Sequence, residues 1–587
     1  MKILLIQPPL RDFYQTTIRT QPIGLAYLAA SLKSHGVEVE ILDCQTERKK
    51  SIPIPSELSY LMDFYPFKDQ SPFKLYTGYY HFGMDWDEIR RRIEDSKADV
   101  FGISSSFTPY HGEALEIARI IKERDERKIV VMGGPHVSCD PEGVLKSPFV
   151  DYAILGEGEI RLPLLLKEME KGNRASIEMD GIGYRANGNI RINRLKSFIQ
   201  NLDHLPFPAR ELFDPDRYRI KKKRTGMILT SRGCPHRCAY CSAHLVMGTS
   251  FRARSPESIL QEMKECHKRY DIQIFDFEDD NFTFDQVRAK RLMNLIIEAF
   301  GEGTLELSAM NGISFASLDE ELLHLMKKAG FRTMNLSFVS TDQPFKRRMG
   351  RPGPESGFDQ VLQDAEKIGL HVIAYGILGI PGQTIEEMVN TLIYLMGKQV
   401  LIGPSVYYPT PGTPLFERCR EEDLLPPDQL QWRSSAFPIE TKEFSRLDLV
   451  TLFRLARLIN FVKGKMDQKE LDEGMTWKEL YKAIKDKVKA KVEVNQKVRD
   501  EVKVEVENNI EDKVKANTPC ALRSALSDNV VTWMDLVSAL TEERSFFALM
   551  KEHKKTISAM KVPTSKKVLD CFFEKAWAKP VLRSRNI

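Results

Sequence analysis

Three cysteines, Cys234, Cys238 and Cys241, fall within eight residues in the spacing C-x3-C-x2-C. Whatever surrounds this loop has to present three thiolates at one point. Thiolates are soft ligands, suited to zinc or to iron–sulfur clusters. A structural zinc site takes four ligands, and the nearest other cysteine, Cys266, is far along the chain. Three thiolates can instead hold three irons of a [4Fe-4S] cube and leave the fourth iron open to a small ligand. Gly233 and Pro235 let the backbone turn tightly around such a core. The spacing alone still leaves open a redox-inert zinc knuckle or three unrelated core thiols.

The rest of the composition narrows the setting. A chain of 587 residues calls for two to four domains, and 42% hydrophobic with 29% charged residues is ordinary globular material. The balance of 86 basic and 82 acidic residues, net +4, gives no reason to expect a nucleic-acid partner. Nine cysteines, three of them clustered, are not a disulfide framework and point to a reducing, cytoplasmic compartment. No apolar run approaches the ~18 residues of a transmembrane segment. Lys2–Ile6 reads as a buried first strand, not a leader.

Over residues 1–195, apolar runs at Lys2–Ile6, Val37–Leu42, Asp99–Ser104, Lys128–Met132 and Tyr152–Leu155 read as strands. Helical patterns at Gly24–Ser34 and Glu113–Glu123 lie between them. This alternation predicts an α/β fold, a Rossmann-like doubly wound parallel sheet that binds ligands at the carboxyl ends of its strands. Three loops fall at those ends: Ser104, Ser105 and Ser106; Gly133, Gly134, Pro135 and His136; and Gly156, Glu157, Gly158 and Glu159. Glycines admit close backbone approach and serine hydroxyls hydrogen-bond a ligand. A generic sheet whose glycines only make turns is the alternative. Residues 48–90 interrupt the alternation with prolines and aromatics such as Phe64, Tyr65, Phe73 and Tyr76. They read either as a lid over an apolar ligand or as packing against the sheet edge.

Residues 196–225, with Leu205-Pro-Phe-Pro208, read as a linker, and Lys221–Arg224 as a solvated basic face. From 226 to 435 six strand–helix units are expected, with strands at Gly226–Thr230, Ile272–Phe277, Leu305–Ala309, Thr333–Phe338, Ala374–Gly382 and Ser405–Pro414. The first delivers the cysteine loop at its carboxyl end, where (β/α) barrels carry their chemistry. Glu278 and Asp279 follow the second strand, either as ligand acceptors or as acids opening the next helix.

The cysteine loop, with Tyr240 before its last cysteine, resembles that of the radical S-adenosylmethionine (SAM) superfamily. So do Glu278-Asp-Asp-Asn281, Ala374–Gly382 and Pro409-Thr-Pro-Gly-Thr-Pro414. The Gly133–His136 and Asp151–Glu159 segments resemble the cobalamin-binding domain fused to many of its members, among them class B methyltransferases and relatives of the anaerobic Mg-protoporphyrin monomethyl ester cyclase. The resemblance implies a partial (β/α)6 barrel, a [4Fe-4S] cluster on Cys234, Cys238 and Cys241, SAM, and cobalamin. It implies SAM contacts at Tyr240, Glu278, Asp279, Ser337, Gly376 and Gly379. It implies cobalamin contacts at Ser104, Ser105, Ser106, Gly133, Gly134, Gly156, Glu157 and Gly158. The implied chemistry is reductive SAM cleavage to a 5′-deoxyadenosyl radical, hydrogen abstraction, and methyl transfer from methylcobalamin to carbon. The implied partners are a small-molecule substrate, weakly hinted by the aromatic stretch to be apolar, and a reductant such as flavodoxin or ferredoxin. Radical cyclisation or rearrangement without methyl transfer, an empty cobalamin fold, and a non-catalytic iron–sulfur or corrinoid-binding protein are the alternatives. One departure from other cobalamin proteins is that no Asp-x-His-x-x-Gly motif supplies a cobalt-ligating histidine.

Residues 436–587 are expected to be a mostly helical C-terminal domain. Leu447–Val462 forms an amphipathic helix, and Ile484, Val488, Val492, Val498, Val502, Val506, Ile510 and Val514 mark an apolar stripe. Trp533, Phe546, Phe547, Phe572 and Trp577 read as anchors, Cys520 and Cys571 as core thiols.

Overall fold

The computed structural model describes the chain apart from residues 15–19, 46–47, 67, 173–177, 187, 352, 354, 487–536, 538–539, 552–556, 578–582 and 586–587. The valine stripe from Val488 onward, Cys520 and Trp533 lie outside the described residues. Two compact units emerge: 1–58 with 78–383 and 403–441, and 59–77 with 384–402 and 442–587.

In the first unit, β1 (Lys2–Gln7), β2 (Glu38–Asp43), β3 (Val100–Ser104), β4 (Ile129–Gly133), β5 (Tyr152–Ile154), β6 (Ile182–Ala186) and β7 (Asn189–Ile192) form one sheet in the order β7-β6-β5-β4-β3-β1-β2. The first five strands are parallel, and β6 and β7 extend the sheet antiparallel. These five are the strands the apolar runs predict. The antiparallel pair carries too little apolar sequence to announce itself, since β7 is nearly all exposed. Two apolar clusters form the core, one containing Ile6, Phe101, Val130 and Ala153, the other Ile3, Leu5, Val100 and Val131. Alternate strand residues point to opposite faces, so the sheet is covered on both. The strand order reverses between β1 and β3, whose chain connections leave in opposite directions and open a crevice at their carboxyl ends.

Two further sheets follow. Arg219–Ile220, β8 (Lys223–Ile228), β9 (Ile272–Phe277) and β10 (Glu306–Ser308) form one; β11 (Thr333–Val339), β12 (His371–Leu378) and β13 (Leu401–Val406) form the other. β8 to β10 are mutually parallel, as are β11 and β12. Isolated parallel bridges, Leu307 to Phe331 and Ile313 to Leu336, run between the β10 and β11 regions. Three boundaries differ from expectation. β8 stops at Ile228, β12 at Leu378, and β13 covers 401–406, so Tyr407–Thr413 is loop. After β12 and β13 glycine- and proline-rich sequence turns away from the strand, and after β8 Leu229 and Thr230 lead into the cysteine loop.

The second unit is built on α6, here the helix Ile385–Met396, α7 (Arg446–Asp467) and α8 (Lys566–Ala576). The first unit carries α1 (Ile23–Ser34), α2 (His111–Arg124), α3 (Gly158–Glu170), α4 (Pro256–Tyr270) and α5 (Gln286–Phe300). Ser445 and Asp448 cap α7 reciprocally. Beside the helices of the C-terminal region, Phe547–Lys551 and Ile557–Lys561 pair as antiparallel strands. Within the second unit, the part of the aromatic stretch at 59–77 serves as packing. Phe73 meets Phe461 and Phe546 edge-on, and Arg454 of α7 donates to the Phe64 carbonyl at 2.6 Å. No described helix is long and apolar enough to cross a membrane.

Candidate active site

The cysteine loop leaves β8 through Leu229 and Thr230. Ser231–Arg232 then pairs antiparallel with Arg252–Ala253. At Gly233, φ is +82° and a Cβ would stand 2.4 Å from the Ser250 carbonyl oxygen, so only glycine fits. Cys234 N donates to the Gly248 carbonyl at 3.3 Å, and Ala239 N to the Met349 carbonyl at 3.0 Å. The loop is therefore gripped from two sides. Cys234 and Cys238 are buried and Cys241 half-buried. Burial pushes the Cys234 and Cys241 thiols up, Cys241 to about 11.

Two donors reach the sulfurs. Asn281 Nδ2 lies 3.9 Å from Cys234 Sγ and Arg351 Nη1 lies 4.0 Å from Cys238 Sγ. Asn281 is buried, and its Oδ1 has no hydrogen-bond partner among the described residues. Tyr240 also bonds Cys238, and burial holds its phenol protonated. Among the described residues no three His, Cys, Asp or Glu side chains converge on one metal-ion position. Three thiolates that serve three different irons need not converge, and N–H donors around the sulfurs suit a cluster. The donor set therefore fits [4Fe-4S].

The acids after β9 divide in role. Asp279, buried, accepts from Thr230 N and Ser231 Oγ, both at 2.7 Å, and from the Thr230 hydroxyl. It fastens the entrance of the cysteine loop. Glu278 accepts from Asn311 Nδ2 at 2.8 Å and is hydrogen-bonded to Asp276. Burial, with Asp276 beside it, pushes Glu278 up to about 8. Asp276 Oδ1 accepts from Ser308 Oγ at 2.7 Å and from Met310 N at 3.2 Å. Ser337 and Gly376 lie within β11 and β12, and Gly379 makes the turn after β12 at φ +82°. All three belong to the second of the two sheets, whereas the thiols follow the first.

At the carboxyl edge of the seven-stranded sheet lies a cavity of about 350 Å³. Ser104 and Ser106 line it from the loop after β3, Gly133 and Gly134 from the end of β4, and Gly156, Glu157 and Gly158 from the loop after β5. Ser105 does not reach it. Its hydroxyl bonds His111 Nδ1 at 3.0 Å, and its carbonyl accepts from His136 N. Gly134, at φ +116°, would bring a Cβ within 2.7 Å of the Ser105 carbonyl oxygen. The wall is thus backbone and hydroxyl, which suits a large ligand approached closely. Among the described residues no histidine lines the cavity. His136 is buried beside His111, bonds Thr108 Oγ1 at 3.0 Å, and is pushed down to about 4 by burial.

Glu157 and Glu159 are also held. Arg232 Nη1 donates to Glu157 at 2.9 Å and its Nη2 to Glu159 at 2.6 Å, while Arg252 donates to Glu157 at 2.8 Å. Ile199 N completes Glu157 at 2.7 Å. All four side chains are buried. The residue before the cluster glycine is thereby clasped to the loop after β5. The sequence reading missed Arg232, Arg252, Asn281 and Arg351. The alternation Arg252-Ala-Arg254, which puts both arginines on one side of an extended chain, was the available signal.

A second cavity, about 880 Å³, abuts the first and shares Thr20, Phe107 and Tyr110 with it. Ile274, Asp276, Ser308 and Met310 line it from the β9 and β10 side.

Comparison with known proteins agrees with this geometry. The Radical SAM superfamily matches residues 228–395 and the B12 binding domain matches 76–166. An uncharacterized methyltransferase of Pyrococcus horikoshii is 28% identical over 481 residues, covering 81% of this chain and 95% of that protein. The cytidylyl-2-hydroxyethylphosphonate methyltransferase of Streptomyces wedmorensis is 27% identical over 474 residues, 74% of this chain and 84% of that protein. Among solved structures, the radical SAM methyltransferase TsrM of Kitasatospora setae, with cobalamin and a [4Fe-4S] cluster bound, superposes with a TM-score of 0.56 at 19% identity. It covers 72% of this chain and 78% of that one. The cobalamin-dependent SAM radical enzyme OxsB gives 0.57 at 14%, covering 98% and 84%. The chain, a mixed α/β protein with parallel sheets, thus carries a segment that matches the Radical SAM superfamily and, before it, one that matches the B12 binding domain, as expected of a radical SAM enzyme.

Proposed function

We propose that this protein is a cobalamin-dependent radical SAM methyltransferase acting on a carbon centre of a small molecule. The observation that carries the reading is the placement of the two loop sets. Seven of the eight residues expected to meet cobalamin line one cavity, and Arg232 joins that cavity's wall to the cysteine loop. When bound, the cluster on Cys234, Cys238 and Cys241 supplies one electron to SAM, and cobalamin in the Gly133–Gly158 crevice supplies the methyl-carrying metal.

The chain's own residues do the rest. Gly233, Gly248 and Met349 shape the cluster loop; Asn281 and Arg351 direct N–H groups at two of its sulfurs. Glu278, Ser337, Gly376, Gly379 and Tyr240 are the SAM contacts, with Asp279 holding the loop from behind. The cavity of 350 Å³ would hold one portion of the corrinoid, through the backbone of Gly133, Gly134, Gly156 and Gly158 and the hydroxyls of Ser104 and Ser106. The seven-stranded sheet is read as a Rossmann-like domain, and β8 to β13 as six staves of one open barrel. A flavodoxin or ferredoxin in the cytoplasm would deliver the electron.

The test is anaerobic reconstitution with iron, sulfide and hydroxocobalamin, then incubation with SAM and reductant. The wild type is expected to hold about four irons and one cobalt, and to release both 5′-deoxyadenosine and S-adenosylhomocysteine. The Cys234/Cys238/Cys241→Ala variant keeps cobalt and loses iron. Iron without cobalt would sink methyl transfer from cobalamin. 5′-Deoxyadenosine without S-adenosylhomocysteine would turn the reading to cyclisation or rearrangement.

A further inference from the structure

The 880 Å³ cavity has a wall unlike ordinary protein surface. Phe107, Met310 and Ile220 are three large hydrophobic side chains left 50%, 59% and 47% exposed, and all three line it. Clustered exposed apolar side chains in a concave site mark a binding surface. The cavity is large for a small-molecule site and abuts the crevice assigned above to cobalamin.

Its charged lining sorts into satisfied and unsatisfied groups. Arg433 donates to the Arg11 and Pro109 carbonyls at 2.8 and 2.7 Å and to Asp12 at 3.3 Å. Asp12 also takes Tyr110 and Ser435 hydroxyls, at 2.8 and 2.9 Å. Arg219 is engaged by Asp216. Among the described residues, Asp276 is the one charged lining residue with no counter-ion. Its described partners are Ser308, Met310 N and the carboxyl of Glu278. Two carboxyls side by side without a cation share a proton or attract one.

We infer that this cavity is the substrate site, and that the substrate is a bulky, mostly apolar molecule presenting an amine or another cationic hydrogen-bond donor to Asp276. The inference rests on the methyltransferase reading for its purpose but not for its binding chemistry. An ammonium at Asp276 would neutralise the pair, gain a charge-assisted hydrogen bond, and leave the apolar body against Ile220, Phe107 and Met310. A carboxylate or phosphate in the same place would meet like charge. The substrate carbon to be methylated would then lie toward Thr20, Phe107 and Tyr110, where the two cavities meet.

The experiment uses cofactor-loaded full-length enzyme and three fluorescent probes with one rigid apolar body: 1-pyrenemethylamine, 1-pyrenemethanol and 1-pyrenecarboxylate. The amine is expected to bind at least ~10-fold more tightly than the carboxylate, about 1.4 kcal/mol, with the alcohol between. Asp276→Asn should erase that order. Met310→Asp, at an exposed position that folding tolerates, should weaken the alcohol, which carries no charge to confuse the result. Iron and cobalt contents of each variant confirm that the fold is intact. Equal or tighter carboxylate binding, an amine preference that survives Asp276→Asn, or alcohol binding indifferent to Met310→Asp each overturns the inference. S-adenosylhomocysteine formation by the wild type is scored separately. Its absence refutes methyl transfer whatever the probes do, and its presence leaves the probe result to judge the substrate class alone.

Discussion

Two pairs of carboxyls in the same unit, one buried and one half-buried, have opposite surroundings. Glu157 and Glu159, after β5, meet two arginines, and a backbone amide completes Glu157. Asp276 and Glu278, at the end of β9, meet hydroxyl, amide and each other, with no described cation. A compensated buried ion cluster contributes little net stability but is costly to break, because removing one partner strands the other's charge. An uncompensated pair carries its cost in the free protein and recovers it when a ligand brings the missing charge. The first pair is therefore fixed in place by its own partners, and the second is the one the substrate proposal draws on.

The largest expected effect follows from the compensated pair. Arg232→Ala leaves Glu157 and Glu159 short of a cation and should lower unfolding stability by about 3–5 kcal/mol, read from urea midpoints. A loss no larger than that of a surface arginine would dissolve the distinction. Asp279→Asn comes next. It weakens the acceptor for Thr230 and Ser231 and should lose about 1–3 kcal/mol, together with iron occupancy measured after reconstitution.

The uncompensated pair should behave in the reverse sense. The carboxyl of Glu278 rises from its ordinary 4.5 to about 8 in the fold. Between those values the folded protein keeps a proton that the unfolded chain releases, so stability falls as pH climbs from 4.5 towards 8. Glu278→Gln should flatten that slope, by at most about 1.4 kcal/mol per pH unit, and be no less stable than wild type at pH 8. A steeper slope, or a destabilised variant, would place Glu278 with the architectural acids. The smallest effect belongs to Asn281→Leu. Stability should change by less than about 1 kcal/mol, since an unpartnered amide oxygen is removed with one weak bond to sulfur. The cluster's midpoint potential, followed by EPR, should fall, because an N–H donor to a cluster sulfur is lost.

Much of this was legible before any coordinates. Strands β1 and β3 to β5 are continuous apolar runs because both sheet faces are covered, β2 at the sheet edge alternates instead, and the glycine and serine loops follow from where the runs end. The cysteine spacing carries its own chemistry. The division of labour among acids was not legible. Glu157 and Asp279 read as ligand contacts, yet their partners, Arg252 and Thr230, lie 95 and 49 residues away, and no local pattern reports a pairing over that distance. The same holds for Asn281, whose role depends on which atom faces Cys234. The C-terminal strand pair was not legible because Phe547–Lys551 is too short to show a period that separates strand from helix.

The clasp between Arg232 and the loop after β5 has a consequence for how the protein is made. Glu157 and Glu159 leave the ribosome well before either arginine, and synthesis proceeds at ~5–20 residues per second. For several seconds the nascent sheet carries two carboxyls at its future core with nothing to neutralise them. The sheet region cannot reach its final state as an early, autonomous folding step; it must wait for residue 252. A fragment ending at the proline-rich stretch near 205, the natural place to cut by sequence, would keep the acids and lose both their partners. Its maturation, and so the loading of its crevice, is tied in time to the segment that will hold the iron.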